Sequence, residues 1–306
     1  MTATQYDIPT KEQVEAYLHD RRNWGRWGDD DQRGAMNLIT PEKRVAAAKL
    51  VRSGRSVSLS RDIPTRPGPG NPNPATHFTR TGSGPGGGGA IDYYGIQYHG
   101  WVTTHIDALC HVWDDHGMWN GRDPSKEVTS NGARFGAIQH WRDGITTRGV
   151  LLDVPKHRGV PCVTLDTPVH GQELEEIAAA EGVTIAAGDA LVVFSGREEW
   201  QKAHPEWGGD KPPNPGLHAS CLPFVRDHDV SLIVWDMMDA SPNDYGVLWT
   251  MHGVIFSYGV ALVDNSLLQP LAEACAEEGR YEFMLTIAPL PWYGGTGSPV
   301  NPIALF

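Results

Sequence analysis

The sequence predicts a mixed α/β domain with a sheet core and outer helices. Short continuous apolar runs, at residues 188–196 and 230–236, indicate buried strands. Residues 171–182 have helical spacing instead, with Leu174 and Ile177 on the inner face. Because strands alternate with helices through the second half, and strand patterns dominate the middle, we expect a mixed sheet covered by helices.

The N-terminal part is expected to form a helical arm, residues 1–55, of a single domain that spans residues 1–306. A strongly charged helix is predicted for residues 11–22. A second helix begins after Thr40, whose hydroxyl suits an N-cap and which is followed by proline and glutamate. This helix ends at Gly54.

The remaining elements alternate along the chain, apart from one segment rich in glycine and proline. Strands are predicted at residues 56–60, 149–154, 188–196, 230–236, 251–263 and 281–288, and helices at residues 171–182, 197–204, 217–228 and 266–279. Residues 66–90 are predicted to form a mobile surface loop. Their position just before the histidine-rich stretch also suits a lid.

Composition and charge argue against several classes of function. The net charge of −12 disfavours nucleic-acid binding, which needs clustered lysine and arginine. Four scattered cysteines give neither a disulfide framework nor a zinc knuckle, and the N-terminal residues lack a signal-peptide pattern, so a cytoplasmic location is expected. The longest mostly apolar run, residues 254–263, is too short to span a bilayer, so no membrane partner is expected.

One stretch carries most of the chemistry: residues 99–111, which read His-Gly-Trp-Val-Thr-Thr-His-Ile-Asp-Ala-Leu-Cys-His. Even steps separate His99, His105, Asp107 and His111, so these side chains share one face if the stretch is an extended strand. Imidazole nitrogen and carboxylate oxygen both suit Zn²⁺ or Mn²⁺. Burying so many polar groups unpaired would be costly, so the spacing favours a metal or acid/base site over ordinary buried histidines.

The same stretch resembles the signature of the cyclase family, which includes bacterial kynurenine formamidase and isatin hydrolase. That signature is His-x-Gly-Thr-His-x-Asp-x-Pro-x-His, and this chain matches it at Thr104, His105, Asp107 and His111. The resemblance extends over most of the chain, including residues 25–28, 36–41 and 297–304. It implies a swivelling β/β/α fold, a divalent metal, hydrolysis of an amide or similar carbonyl–nitrogen bond, and homodimers or homotetramers.

Two departures from the family pattern affect the expected metal site. Trp101 stands at the first metal histidine, and indole only donates, so either His99 replaces that ligand or the site has one ligand fewer. In the formamidases a glutamate in a Pro-Gly-Leu-x-x-Glu pattern helps to hold a second metal, but here Ser220 stands at that place. We therefore expect one ion, Mn²⁺ or Zn²⁺, rather than two.

The expected mechanism assigns a role to each of these residues. His105, Asp107 and His99 hold the ion, which activates water and a substrate carbonyl. His111 acts as general base and then as general acid. Contacts with a small-molecule substrate are expected from Trp101, His218 and His252, although each of these also suits a purely structural role.

Two alternative functions stay open from the sequence. A cyclase or lyase reaction would use the same metal to stabilise an enolate or to close a ring by dehydration. A non-catalytic protein that binds a metal or a small ligand would explain the missing histidine at Trp101. His111 argues against this second alternative, because a binding site needs no proton carrier. Nothing in the loops identifies the substrate.

Overall fold

A large mixed sheet forms the centre of the computed structural model, which describes residues 6–208 and 212–306. The strands are β1 (Ser56–Ser58), β2 (Thr76–Gly84), β3 (Gly87–Gly95), β4 (His105–Asp107), β5 (Val128–Thr129), β6 (Gly132–Ala133), β7 (Ile145–Asp153), β8 (Ala190–Phe194), β9 (Leu232–Trp235), β10 (Ala261–Asp264), β11 (Glu282–Ile287), β12 (Gly297–Pro299) and β13 (Ile303–Leu305). Nine of them form the main sheet, in the order β1-β13-β11-β7-β8-β9-β10-β4-β12.

Helices pack around this sheet, and their ends follow local capping chemistry. They are α1 (Lys11–His19), α2 (Pro41–Ala48), α3 (Pro124–Glu127), α4 (Val154–Arg158), α5 (Gly171–Glu181), α6 (Arg197–Ala203), α7 (Leu222–Asp227), α8 (Val254–Tyr258) and α9 (Gln269–Glu278). The Thr40 hydroxyl accepts a hydrogen bond from the Lys43 N–H at the start of α2. No helix in the described part of the chain is both long enough and apolar enough to cross a membrane.

The centre of the sheet is parallel, and the predicted site lies at its side. β7, β8, β9 and β10 run parallel to one another. Every residue of β8, β9 and β10 is buried, as expected for parallel strands covered on both faces. β4 pairs antiparallel with β10 on one side and with β12 on the other. The prediction of a mixed sheet with outer helices is confirmed.

The loop predicted for residues 66–90 is correct for 66–75, but wrong for 76–90, which belong to a hairpin. Residues 76–84 and 87–95 pair along nine antiparallel positions, and Gly86 adopts a φ of 94° in the connecting turn. The Phe78 and Tyr93 rings stack with their centroids 4.8 Å apart. The many glycines hid the alternation of threonine and aromatic residues that favours strands.

The predicted strand at residues 251–263 is correct only at its end. Residues 251–253 form a 3₁₀ turn and 254–258 form α8, which ends at Gly259 with a φ of 70°. All five residues of α8 are buried. A helix that is apolar on every side has no helical period in its sequence, so its short apolar run resembles a buried strand.

Candidate metal centre

Histidines and aspartates from separate segments meet where β4 pairs with β10. The side chains of His105 and Asp107 on β4 are 1% and 0% exposed. Asp264 ends β10 and lies opposite His105 in the antiparallel register. The Nε2 atom of His252 lies 3.2 Å from Asp264 Oδ2 and 3.9 Å from Asp107 Oδ2. We call the following residues the central cluster: His99, His105, Asp107, His111, Asp239, His252 and Asp264.

The backbone determines which nitrogen of His105 is free. Its Nδ1 atom lies 2.8 Å from the carbonyl oxygen of Thr103, which only accepts, so Nδ1 carries the proton. The other ring nitrogen, Nε2, therefore faces Asp107 Oδ1 at 3.4 Å and Asp264 Oδ2 at 3.9 Å. An imidazole that donates one N–H to a backbone carbonyl and presents its other nitrogen is the usual arrangement of a metal-binding histidine.

The carboxylate of Asp107 gives the strongest indication that the central cluster binds a cation. Both of its carboxylate oxygens are buried and have no hydrogen-bond partner among the described residues. His99 Nδ1 lies 3.0 Å from Oδ1, but the N–H direction does not give a hydrogen bond. Burial raises the pKa of this carboxyl, yet the facing imidazoles of His111 and His105 hold the pKa well below its usual range. A buried, unpaired anion among imidazoles fits a divalent ion such as Zn²⁺ or Mn²⁺.

Turns, and not one continuous strand, bring the histidines of the stretch together. Only its middle, β4, is extended, so the predicted extended conformation of residues 99–111 was wrong. His99 precedes a turn at Gly100, where φ is 141°. The His111 N–H donates to the Ala108 carbonyl at 3.0 Å and closes a second turn after β4. This bend brings His111 Nε2 to 3.8 Å from Asp107 Oδ2.

The His99 and His111 rings stack face to face within the central cluster. Their centroids are 3.8 Å apart and their planes differ by 5°. Burial lowers the pKa of His111 to about 4, so its ring is neutral at pH 7. Both rings present nitrogen atoms near Asp107, His99 Nδ1 at 3.0 Å from Oδ1 and His111 Nε2 at 3.8 Å from Oδ2.

His252 has the opposite charge state from His111. Its Nδ1 contacts Asp239 Oδ1, and Asp239 Oδ2 accepts a hydrogen bond from the Thr250 hydroxyl at 2.8 Å. Burial lowers the pKa of His252, but Asp239 and Asp264 outweigh this effect and raise it well above the usual value. His252 is therefore an imidazolium held between two carboxylates. The sequence predicted it only as a substrate contact.

Sequence reasoning missed Asp239 and Asp264 altogether. Asp264 is the last residue of β10, and Asp239 follows the end of β9 by four residues. Because β9 and β10 are parallel neighbours, their carboxyl ends meet at one edge of the sheet. Polar residues just beyond the ends of buried parallel strands are a general signal of a site, and that signal was present in the sequence.

The backbone before β4 is held by Asn265 and Arg197. The Asn265 side-chain amide donates to the carbonyls of Gly100 at 2.7 Å and Thr103 at 3.2 Å. The buried Arg197 guanidinium donates to Asn265 Oδ1 at 2.6 Å and also contacts the Trp101 carbonyl. Because Asn265 follows Asp264 directly, one short segment orders both the carboxylate and the loop that carries His99.

Two predicted substrate contacts lie outside the central cluster. The Trp101 ring packs edge-on against Trp207, with centroids 5.8 Å apart. Trp101 therefore does not share a strand face with His99. His218 has Ser220 and Tyr245 as its side-chain partners, at 3.1 Å and 2.9 Å. The structure therefore brings together His99, His105, Asp107, His111 and His252, but does not add Trp101 or His218 to them.

Two sets of possible metal ligands overlap in the central cluster. His99, His105 and Asp107 each offer one ligand atom, and these atoms all lie within 4.8 Å of one another. Asp107, His252 and Asp264 satisfy the same condition. Asp264 already accepts a hydrogen bond from the Trp235 indole at 2.5 Å, and His252 is paired with two carboxylates. The first set, whose members include the unpaired Asp107 and His99 Nδ1 atoms, is the better ligand set.

Comparison with known proteins agrees with this fold. Residues 55–242, more than half of the chain, match the family model described as putative cyclase. The chain therefore belongs to the cyclase family, and the resemblance at the stretch is confirmed. Comparison with curated protein sequences finds no match.

The likeness to solved structures covers most of the chain. A crystal structure of a novel cyclase has a TM-score of 0.77 at 29% identity and covers 93% of this chain and 99% of its own. Isatin hydrolase A from Labrenzia aggregata, solved with benzyl benzoate, has a TM-score of 0.55 at 18% identity, with coverages of 84% and 94%. Isatin hydrolase A from Ralstonia solanacearum has a TM-score of 0.55 at 17% identity, with coverages of 87% and 97%.

Substitution of His99 tests whether it replaces the family histidine missing at Trp101. We expect His99→Ala to weaken divalent-metal affinity at least about tenfold, since even the loss of an outer-shell partner has an effect of that size. Trp101→Phe is the matched control, because its ring packs on Trp207 and should leave affinity unchanged. Equilibrium dialysis measures both variants. Unaltered affinity in His99→Ala would mean that the site has one protein ligand fewer.

Proposed function

We propose that this chain is a metal-dependent hydrolase that cleaves an amide or related carbonyl–nitrogen bond of a small cyclic or aromatic substrate. The observation that carries the proposal is the buried Asp107 carboxylate, which faces four imidazoles and has no hydrogen-bond partner among the described residues. Membership of the cyclase family supports it. The isatin hydrolases of the same fold suggest a cyclic substrate by analogy.

One divalent ion, Mn²⁺ or Zn²⁺, would be held by His99, His105 and Asp107. When bound, such an ion supplies Lewis-acid activation of a carbonyl group and of water. The protein supplies the orientation: the Thr103 carbonyl aligns His105, and Asn265 fixes the loop that carries His99. The carboxylate is already in the ionised form that binds a cation, as the lowered pKa of Asp107 indicates.

His111 and His252 are suited to opposite proton-transfer roles. Neutral His111 accepts the proton of the attacking water, because burial keeps its imidazole unprotonated at pH 7. His252, kept protonated by Asp239 and Asp264, donates a proton to the leaving nitrogen or a hydrogen bond to the developing oxyanion. Two titratable groups whose pKa values are pushed in opposite directions are the usual sign of an acid and a base.

A large cavity lies next to the central cluster, on the far side of Trp249 from His252. It has a volume of 1110 Å³ and is lined by Trp113 and Trp249, among others. The centroid of the Trp249 ring is 5.5 Å from that of His252. Aromatic walls suit a planar, neutral substrate. Six carboxylates also line this cavity, so a carboxylate product of hydrolysis would be repelled from it: Glu12, Glu15, Asp20, Asp114, Asp115 and Asp123.

The product distinguishes hydrolysis from the cyclase or lyase reaction on the same site. N-formyl aromatic amines, lactams and cyclic imides are incubated with the metal-loaded protein, and products are weighed by mass spectrometry. From lactams and cyclic imides we expect a ring-opened product heavier than its substrate by one water, and from N-formyl aromatic amines we expect formate and the free amine. A product of equal mass or lighter by one water would instead establish an isomerising or dehydrating cyclase. His111→Asn serves as the control for contaminating activity.

A further inference from the structure

A second group of metal-binding side chains lies outside the central cluster. We propose that His19, Asp114 and His116 form a separate binding site for a divalent transition-metal ion. His19 is the last residue of α1, and the other two belong to the turn that follows His111. The site shares no ligand with the central cluster.

The geometry of the three side chains carries the proposal. His19 Nδ1 and His116 Nδ1 each lie 3.6 Å from Asp114 Oδ2. The two imidazole rings are 4.2 Å apart between centroids. Each residue offers one ligand atom, and these atoms lie within 4.8 Å of one another. Two imidazole nitrogens and a carboxylate oxygen suit Zn²⁺, Co²⁺ or Ni²⁺.

Within the described part of the chain, only one of the two Asp114 carboxylate oxygens has a hydrogen-bond partner. Oδ1 accepts a hydrogen bond from the backbone N–H of His116 at 2.8 Å, but Oδ2 is buried and has no partner among the described residues. A separation of 3.6 Å is too long for a hydrogen bond. It is close to the distance of about 3.3 Å between ligand atoms in a tetrahedral zinc site with bonds of about 2.0–2.1 Å. An ion between these atoms would satisfy Asp114 Oδ2, which of the three is the one buried without a partner among the residues described.

An ordinary surface pair of the same residue types looks different. In the hairpin, His77 Nε2 lies 2.9 Å from Asp92 Oδ1 and is directly hydrogen-bonded to it. Such a pair satisfies itself and leaves no space for an ion. The contrast separates a histidine–aspartate contact from the spaced arrangement of His19, Asp114 and His116.

The charge of the adjacent cavity lining also favours a cation. The cavity that these residues line has six carboxylates, and no lysine or arginine is among its described lining residues. Arg22 lies outside that lining, but its guanidinium contacts His19 Nδ1. A guanidinium only donates, so the His19 nitrogen that it approaches carries a free lone pair. A metal ion would take the place of this donor at the same lone pair.

Zinc stoichiometry tests the site on the full-length protein. Wild type, His116→Ala and His77→Ala are dialysed against Zn²⁺, and bound zinc is measured by mass spectrometry. We expect His116→Ala to bind one ion per chain fewer than wild type, with the affinity of that site weakened at least about tenfold. His77→Ala should match wild type. His116 and His77 side chains are 57% and 47% exposed, so neither change should disturb folding.

Asp107→Asn separates this site from the proposed hydrolase centre. That variant should lose the central ion and keep the ion that His116→Ala removes. Equal zinc content in wild type and His116→Ala would overturn the proposal, whatever the state of the central site. An equal loss of zinc in His116→Ala and His77→Ala would also overturn it, because it would show that general surface binding had been measured.

Discussion

Asp107→Asn is expected to remove the central divalent ion and to abolish turnover. The amide has no negative charge, so it cannot balance a dication in a site where the native carboxylate is completely buried. We expect metal affinity to fall by more than about 100-fold, the upper range for the loss of an outer-shell partner. Metal content after dialysis, measured beside turnover of the best substrate, checks both effects.

A buried aspartate elsewhere provides the control for this substitution. Asp236 is also completely buried, but its oxygens accept hydrogen bonds from the backbone N–H groups of Ser195, Gly196 and Arg197 at 2.9–3.0 Å. Asp236→Asn should lower thermal stability while the folded protein still binds the metal. Full metal occupancy in Asp107→Asn would show that Asp107 is not a ligand.

His111→Asn is expected to keep the metal and the fold but to lose most of the catalytic rate. The Nε2 atom of His111 is 3.8 Å from Asp107 Oδ2. We therefore expect His111 to contact the attacking water rather than to serve as a metal ligand. Loss of a general base typically lowers a rate by about 10²–10⁴-fold. Turnover and metal content are measured on the same preparation. Wild-type turnover would refute the role, and loss of the metal would make His111 a ligand.

The acid limb of the pH profile gives a second readout of His111. A base works in its neutral form, so the rate falls as pH drops through its pKa. An ordinary histidine would place that fall near a pKa of about 6.5. Burial lowers the pKa of His111 to about 4, so wild type should keep its rate well below pH 6 for as long as the metal stays bound. Metal content measured at each pH shows whether a fall in rate comes from protonation of His111 or from loss of the metal.

The parts of the fold that the sequence revealed are those with strong local patterns. The apolar runs of β8 and β9 and the helical spacing of α5 needed no tertiary information. The hairpin of β2 and β3 was hidden by its glycines, and α8 lacks periodicity because all of its sides are buried. In both cases tertiary context, rather than local preference, determines the element.

The site residues that the sequence placed together correctly are also those with a strong local pattern. His105 and Asp107 are alternate residues of one strand, so the sequence alone places them together. His99 and His111 join them through turns that depend on Asn265 and on packing around β4, and strict alternation was the wrong reason for including them. Asp264 ends β10 and Asp239 follows β9, both far along the chain from β4. Only the parallel pairing of β9 and β10 shows that they share an edge with His105.

The central claim is that His99, His105 and Asp107 hold a divalent ion. The most direct test is X-ray diffraction from crystals of the metal-loaded protein, with data collected on both sides of the absorption edge of the added zinc or manganese. The account predicts an anomalous peak in contact with His105 Nε2, His99 Nδ1 and the Asp107 carboxylate. A fully loaded crystal whose peaks all lie away from these atoms would contradict it.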